Sequence, residues 1–75
     1  MVMGMDRVTE ALVEARKAAG LTHRQLAEHL GIRQPTLAEI EKGRRPLPRE
    51  RYGKLPKAIR RRVIDAAIAE LKALR

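Results

Sequence analysis

The sequence predicts an all-α protein, a compact single domain of helices, on three observations. Apolar residues recur at spacings of three and four through most of the 75 residues, which is the period of an amphipathic helix. Helix-starting signals precede these stretches, among them a prospective capping box and prolines suited to a first turn. Gly20, Gly31 and Gly43 follow them, where a left-handed residue commonly ends a helix. Short helices joined by tight turns are therefore expected.

The first predicted helix covers about residues 7–19. Asp6 is suited to cap its N-terminus and Gly20 to end it. Its apolar face is formed by Val8, Leu12, Ala15 and Ala19. Residues 1–5 lie before this pattern, and we expect them to form a disordered N-terminus.

The second predicted helix has the best-specified start in the chain. Thr22 and Gln25 stand at the spacing of a capping box, and Leu21 packing on Leu26 would form a hydrophobic staple. The periodic pattern stops at Gly31, which favours a left-handed turn conformation. A short helix followed by a tight turn is predicted.

A third helix, about residues 34–42, is expected to open at Pro35 and to stop before Gly43. The residue before a proline is biased away from helical angles. We therefore expect this helix to begin one residue late, with Gln34 on an extended backbone. The apolar residues of the helix are Leu37 and Ile40.

The rest of the chain is predicted to form a basic linker, a short helical segment and a long helix. The segment 48–52 is closed by Gly53, and Pro56 begins a final helix of about residues 56–74. One apolar stripe of that helix consists of Ile59, Val63, Ala66, Ala67 and Leu74. A second stripe consists of Ile64, Ile68 and Leu71. A chain this short can cover one stripe, so the second lacks an intramolecular cover.

The net charge of +8 is concentrated in one segment of the chain. Residues 1–32 hold four basic and four acidic residues, and residues 63–75 hold two of each. Residues 33–62 hold eleven Lys or Arg against three Glu, so the whole excess lies there. A concentrated excess indicates a polyanionic partner such as nucleic acid, although charge runs also occur as ordinary solvated surface.

Several other classes of function lack the residues they need. The chain has no Cys and no Ser, and His23 and His29 lie about 240 degrees apart around a helix, so no metal site, cofactor or enzyme is expected. Tyr52 is the single aromatic residue, which disfavours a binder of single strands. No apolar run approaches the roughly 20 residues of a membrane span, so a cytoplasmic protein is expected. A basic amphipathic final helix that lies on a membrane or docks a partner protein is the remaining rival.

Residues along the first two thirds of the chain stand at spacings that are informative as a set. They are Leu21-Thr22, Leu26-Ala27, Gly31-Ile32, Leu37, Ile40-Glu41 and Lys42-Gly43. Over about residues 8–55 this set resembles the phage-repressor and Cro-like (XRE-type) helix-turn-helix family. The resemblance implies a five-helix lambda-repressor-like fold, with residues 6–55 as the helix-turn-helix domain and residues 56–75 as a C-terminal helix. It also implies a nucleoid-associated regulator of transcription, a repressor that reads double-stranded DNA in the major groove of a palindromic operator.

The resemblance assigns the third helix to reading DNA bases. The residues that would face base edges are Arg33, Gln34, Pro35, Thr36, Ala38 and Glu39. By their chemistry, Gln34 suits adenine, Glu39 suits the amino group of cytosine, and Ala38 suits the methyl group of thymine. Glu39 would also repel phosphate unless it finds a donor, so it can serve to reject other sequences.

The resemblance places phosphate contacts at the start of the second helix and after the third. These residues are Thr22, His23, Arg24, Lys42, Arg44 and Arg45. The family commonly has Gln where His23 stands, so His23 is either a phosphate donor or a solvated first-turn residue. The family often has a capping Ser or Thr where Arg33 stands, and Arg cannot cap an N-terminus. The three arginines at 60–62 either reach the DNA backbone or solvate the outer face of the final helix.

Arg16 and Glu41 match the family's partly buried ion pair between the first helix and the end of the third. The alternative is two unrelated surface charges, which would contribute little to stability. Because Arg16 borders the apolar face of the first helix, the ion pair is favoured.

The second stripe of the final helix predicts a homodimer joined through Ile64, Ile68 and Leu71. About a twofold axis this stripe would cover itself and hold two reading helices at a fixed separation. In a monomer it would instead pack back on the first helix beside Val13. In an antitoxin-type regulator, the final helix would grip a second protein.

Overall fold

Five helical segments follow one another along the chain in this computed structural model, which describes residues 7–73. They are α1 (Arg7–Ala18), α2 (His23–Leu30), α3 (Gln34–Glu41), a 3₁₀ helix (Arg49–Lys54) and α4 (Lys57–Ala73). Residues 7–73 contain no strand, so the predicted all-α class is confirmed. The predicted disordered residues 1–5, the cap at Asp6 and the packing of Leu74 lie outside the described part of the chain.

One hydrophobic core joins all four α-helices. The large side chains with no more than 2% of their surface exposed are Leu12, Leu26, Leu30, Leu37, Ile40, Ile59 and Val63. Burying each such side chain contributes roughly 1.5–3 kcal/mol before entropy is subtracted. Leu47 and Leu55 are also buried, one on each side of the 3₁₀ helix, and they anchor that connection to the core. The sequence analysis had assigned neither leucine to the core.

The start of α2 is the capping box that the sequence predicts. The Gln25 amide donates to Thr22 Oγ1 at 3.1 Å, and the Thr22 amide donates to Gln25 Oε1 at 2.9 Å. Leu21 is half-buried and packs against the core cluster that contains Leu26. The first turn of α2 is therefore set by residues adjacent in the chain.

The end of α2 is set by the conformation of the next residue and by a hydrogen bond from a residue distant in the chain. Gly31 takes the left-handed conformation, with φ of 68° and ψ of 31°, as predicted. The Leu30 carbonyl, left without an intrahelical donor, accepts from Arg51 Nη1 at 3.0 Å. A guanidinium at this end also faces the negative pole of the helix dipole. Arg51 of the basic segment thus holds the 3₁₀ helix against the end of α2.

The expectation that Gln34 would lie on an extended backbone is wrong. Arg33 is the extended residue, with φ of −80° and ψ of 149°, and Gln34 is the first residue of α3. The Leu37 amide closes the first turn by donating to the Arg33 carbonyl at 3.1 Å. Pro35 lies within this first turn, where its missing N–H would have had no intrahelical acceptor. The proline therefore removes no hydrogen bond from α3.

The last two segments also differ from expectation in detail. The 3₁₀ helix runs through Gly53 to Lys54, and the Leu55 amide closes it by donating to the Tyr52 carbonyl at 3.1 Å. In α4 the core side is made by Ile59 and Val63. The N-terminal end of α1 is tied to α4, since the Arg7 amide donates to Glu70 Oε2 at 2.8 Å.

The second stripe of α4 is left uncovered. Ile64, Ile68 and Leu71 have 38%, 45% and 55% of their surface exposed. The alternative in which α1 covers this stripe does not hold within residues 7–73. α4 therefore carries an apolar surface that residues 7–73 do not cover.

Gly31→Ala is expected to lower the free energy of unfolding by about 1–3 kcal/mol. The reason is that residue 31 has a positive φ and that an added Cβ would lie 3.2 Å from Arg51 Nη1. Urea unfolding followed by circular dichroism measures the change.

Gly53→Ala is the matched control for that substitution. Its φ is not positive, and no heavy atom lies within 4 Å of an added Cβ. Stability should stay constant or rise by up to about 1 kcal/mol, because alanine restricts the unfolded chain. Equal losses for the two variants would contradict the assignment of strain to residue 31.

Candidate nucleic-acid interface

The second and third helices form a tight helical pair. α2 and α3 are joined by the three residues 31–33 and pack against each other. Ala27 is buried, and Ile32 packs against the core from within the turn. A short second helix presented by such a turn is the arrangement with which helix-turn-helix proteins enter a DNA groove.

α3 has one buried side and one accessible side. Its buried residues are Leu37, Ile40 and Glu41. The six residues predicted to read bases lie off this buried side: Arg33, Gln34 and Pro35 are exposed, and Thr36, Ala38 and Glu39 are half-buried. The structure therefore places five of the predicted base-reading residues on the accessible surface of α3, with Arg33 directly before it.

Glu41 is a buried carboxylate at the end of α3 and is bonded by two other helices. Arg16 Nε donates to Glu41 Oε2 at 2.8 Å, and Arg16 Nη2 donates to Oε1 at 3.2 Å. The two side chains are 11% and 7% exposed, and Arg16 Nη1 also donates to the Leu21 carbonyl at 2.8 Å. The structure thus joins the two residues matched to the ion pair by a forked pair of hydrogen bonds, the strong form of this contact.

His23 makes a contact that the sequence analysis did not foresee. Its Nε2 lies 2.9 Å from Glu41 Oε1. A carboxylate only accepts, so Nε2 carries the hydrogen and donates. Because the ring N–H at Nε2 is bonded to Glu41, a phosphate contact by His23 would use its backbone amide at the start of α2. Spacing alone gave no signal for this contact.

Glu39 and Arg44 are also in contact, although the sequence analysis assigned them separate roles. Arg44 Nη1 lies 3.5 Å from Glu39 Oε2, with 66% and 38% of the two side chains exposed. The Arg44 amide donates to the Glu39 carbonyl at 3.0 Å, and Gly43 has φ of 79°. This is the hydrogen-bond pattern of a Schellman motif, in which the residue after the glycine folds back over the last turn.

A family model described as a helix-turn-helix domain matches residues 8–68. This chain belongs to that family, whose members are XRE/Cro-like DNA-binding domains. The resemblance stated from the sequence is therefore confirmed, and this helix-turn-helix protein is a DNA-binding regulator. No curated protein and no solved structure is similar enough to the chain to count as a match.

The predicted phosphate-contacting residues of this helix-turn-helix protein differ in how they are engaged. Thr22 Oγ1 is used in the capping box, and Arg24 Nε lies 3.9 Å from Glu28 Oε2 in an exposed pair. Lys42 and Arg45 are exposed and have no ion-pair partner within residues 7–73. These two cations stand beside the C-terminal end of α3 with their charge available.

The three arginines at 60–62 differ in their contacts. Arg60 Nη1 donates to the Gly53 carbonyl at 3.5 Å, and Arg62 Nη2 lies 3.6 Å from Glu14 Oε1. Arg61 is exposed. Two of the three therefore make contacts that link α4 to the 3₁₀ helix and to α1.

No group of three or more side chains within residues 7–73 is placed to hold a metal ion. Over the same residues, no helix is both long and apolar enough to cross a membrane.

Arg16→Ala is expected to lower the free energy of unfolding by roughly 2–4 kcal/mol, because it strands the buried Glu41 carboxylate. Arg24→Ala is the matched control, since it removes an arginine from a solvent-exposed pair and should change stability by less than about 0.5 kcal/mol. Urea unfolding of both variants at low temperature gives the comparison. Similar small losses would mean that the Arg16 contact contributes no more than a surface pair.

Proposed function

We propose that this protein is a sequence-specific, dimeric transcriptional repressor that inserts α3 into the major groove of a palindromic operator. The observation that carries the proposal is the accessible side of α3, where polar and small side chains lie beside unpaired cations. The family membership supports DNA as the partner, and the whole charge excess lies in residues 33–62. The proposal implies a cytoplasmic protein that associates with the nucleoid.

Base recognition would follow from the side chains that α3 presents. Gln34 can bond both N6 and N7 of adenine, Glu39 can accept from N4 of cytosine, and Ala38 can contact a thymine methyl. Gln34 is in the first turn of α3, and the N-terminal residues of a recognition helix commonly contact base edges. Thr36 and Arg33 flank these positions.

Phosphate contacts would flank the reading helix on both sides. Lys42 and Arg45 are free to approach one strand from the end of α3. On the other side, the N-terminal amides of α2 at His23 and Arg24 are suited to an anion, since they lie at the positive end of the helix dipole. These contacts would position the protein without reading sequence.

A second copy of the chain is the partner that best fits the uncovered stripe of α4. The apolar surface continues from Leu71 into a groove of about 400 Å³ whose lining includes Val8, Leu47 and Tyr52. Self-association about a twofold axis covers such a surface on both copies. If such a dimer binds one face of a duplex, its two α3 helices would enter major grooves about one helical turn of DNA apart, roughly 34 Å, so half-sites should be inverted repeats.

Charges beside the stripe fit an antiparallel pairing of two α4 helices. Asp65 and Lys72 are two helical turns apart on one flank, both exposed, with no ion-pair partner within residues 7–73. A twofold axis near Ile68 would bring each Asp65 next to Lys72 of the second copy, because antiparallel helices pair like flanks. The same stripe is also what an antitoxin-type regulator would offer to a different protein, and this is the second candidate function.

Gln34→Ala is expected to change the preference at one base position of the half-site by roughly 1–3 kcal/mol, while Arg45→Ala should weaken all sequences alike. Binding to duplexes selected from a randomised pool, and to their single-base variants, measures both effects. If substitutions along α3 leave the ranking of the duplexes unchanged, α3 does not read the bases.

Lys72→Asp is expected to weaken the dimer, because it places like charges opposite each other. Asp65→Lys combined with Lys72→Asp should restore the dimer, and Ile68→Glu should abolish it. Sedimentation equilibrium without DNA at tens of micromolar, with circular dichroism to verify folding, measures the association. A wild type that stays monomeric overturns the dimer, and a charge-swapped variant no better than Lys72→Asp overturns the antiparallel register.

A further inference from the structure

We infer that Arg44 exchanges its anionic partner on DNA. It pairs either with Glu39 or with a phosphate, and the base that faces Glu39 decides which. The inference rests on the proposed DNA recognition by α3 and adds a coupling between two residues. The sequence predicts a base contact for Glu39 and a separate phosphate contact for Arg44. The structure instead places Arg44 Nη1 3.5 Å from Glu39 Oε2.

The backbone keeps the two side chains within reach of each other. The Gly43 amide donates to the Ile40 carbonyl at 3.0 Å, and the Arg44 amide donates to the Glu39 carbonyl at 3.0 Å. Schellman motifs commonly bring an apolar pair together at these two positions. Here an ion pair stands there instead. Arg44 cannot move far from Glu39, but its long side chain can turn toward another anion.

The ion pair is weak enough to be exchanged. Both side chains are accessible, 66% for Arg44 and 38% for Glu39, and the atoms lie at the long end of a charged contact. Exposed pairs of this kind change an equilibrium by roughly two- to fivefold. A DNA phosphate, whose neutralisation releases counterions, can therefore compete with Glu39 for the guanidinium.

The exchange depends on what faces Glu39 in the major groove. Cytosine presents an amino donor there, whereas thymine presents an acceptor and a methyl group. Opposite cytosine the carboxylate is bonded by the base, and Arg44 is released to a phosphate. Opposite thymine the carboxylate has no donor from the base and would stand unpaired near the anionic backbone, so it retains Arg44. A mismatch at one base thus removes a phosphate contact as well.

This coupling has a measurable signature in the salt dependence of binding. Each phosphate neutralised adds about 0.9 to the slope of log affinity against log salt concentration. A duplex with cytosine facing Glu39 should therefore show a slope steeper by about 0.9 per reading helix than the same duplex with thymine. Two independent contacts would give the same slope on both duplexes.

The experiment uses duplexes that the full chain selects from a randomised pool, together with their single-base variants. The position facing Glu39 is the one at which Glu39→Ala removes the preference. For the wild type the slope should differ between the cytosine and thymine duplexes. Glu39→Ala should tighten binding to the thymine duplex by roughly two- to fivefold, because it frees Arg44, and should make the slopes equal.

Two further variants show whether the phosphate contact of Arg44 depends on Glu39, or whether removing any charge gives the same result. In an Arg44→Ala background, the cytosine and thymine duplexes should give equal slopes, because the phosphate contact that depends on Glu39 is gone. Arg45→Ala should lower the slope equally on both duplexes. Equal slopes for the wild type, or strictly additive effects of Glu39→Ala and Arg44→Ala, would overturn the exchange. Failure to select any duplex would count against the proposed function instead.

Discussion

The position of α3, and with it the candidate nucleic-acid interface, depends on hydrogen bonds to one buried carboxylate. Glu41 stands at the end of α3 with 7% of its side chain exposed, and burying its charge costs several kcal/mol unless hydrogen-bond donors compensate for the lost water. Arg16 from α1 and His23 from α2 supply those donors. The third guanidinium nitrogen bonds the Leu21 carbonyl, so the same cation also holds the connection between α1 and α2. The orientation of α3 relative to α1 and α2 is thereby set by one carboxylate that accepts three hydrogen bonds.

The basic residues of this protein divide into those that support the fold and those that remain available. Arg51 and Arg60 donate to backbone carbonyls, and Arg62 lies beside an acid of α1. Lys42 and Arg45 are exposed without an ion pair inside the described chain. Arg49, Lys54, Lys57 and Arg61 are also exposed without an ion pair among residues 7–73. Lys42 and Arg45 are the two that stand at the end of α3, where a DNA backbone would pass.

The accessible side of α3 and the uncovered stripe of α4 differ in polarity, so they suit different kinds of partner. α3 presents polar, small and charged groups, which suit a hydrated groove lined by donors and acceptors. α4 presents three large apolar side chains, which are stable in water only at a cost and suit a partner that excludes water. Because these surfaces lie on different helices, a substitution on one can leave the other unchanged.

The sequence by itself determined both ends of α2 and the location of the charge. The capping box of Thr22 and the left-handed turn at Gly31 are settled by interactions within a few residues, which a linear pattern displays directly. The prediction of an extended backbone at Gln34 is wrong, because the first-turn hydrogen bond of α3 outweighs the local bias that Pro35 imposes on the residue before it.

Only the tertiary structure decided which partners the long polar side chains found. His23 bonds a carboxylate 18 residues away, Arg51 bonds a carbonyl 21 residues away, and Glu70 bonds an amide 63 residues away. The period of a helix says which side a residue occupies, but not which neighbour that side will meet. Those partners depend on how whole helices pack, and a flexible charged side chain can reach any of several of them until the core is formed.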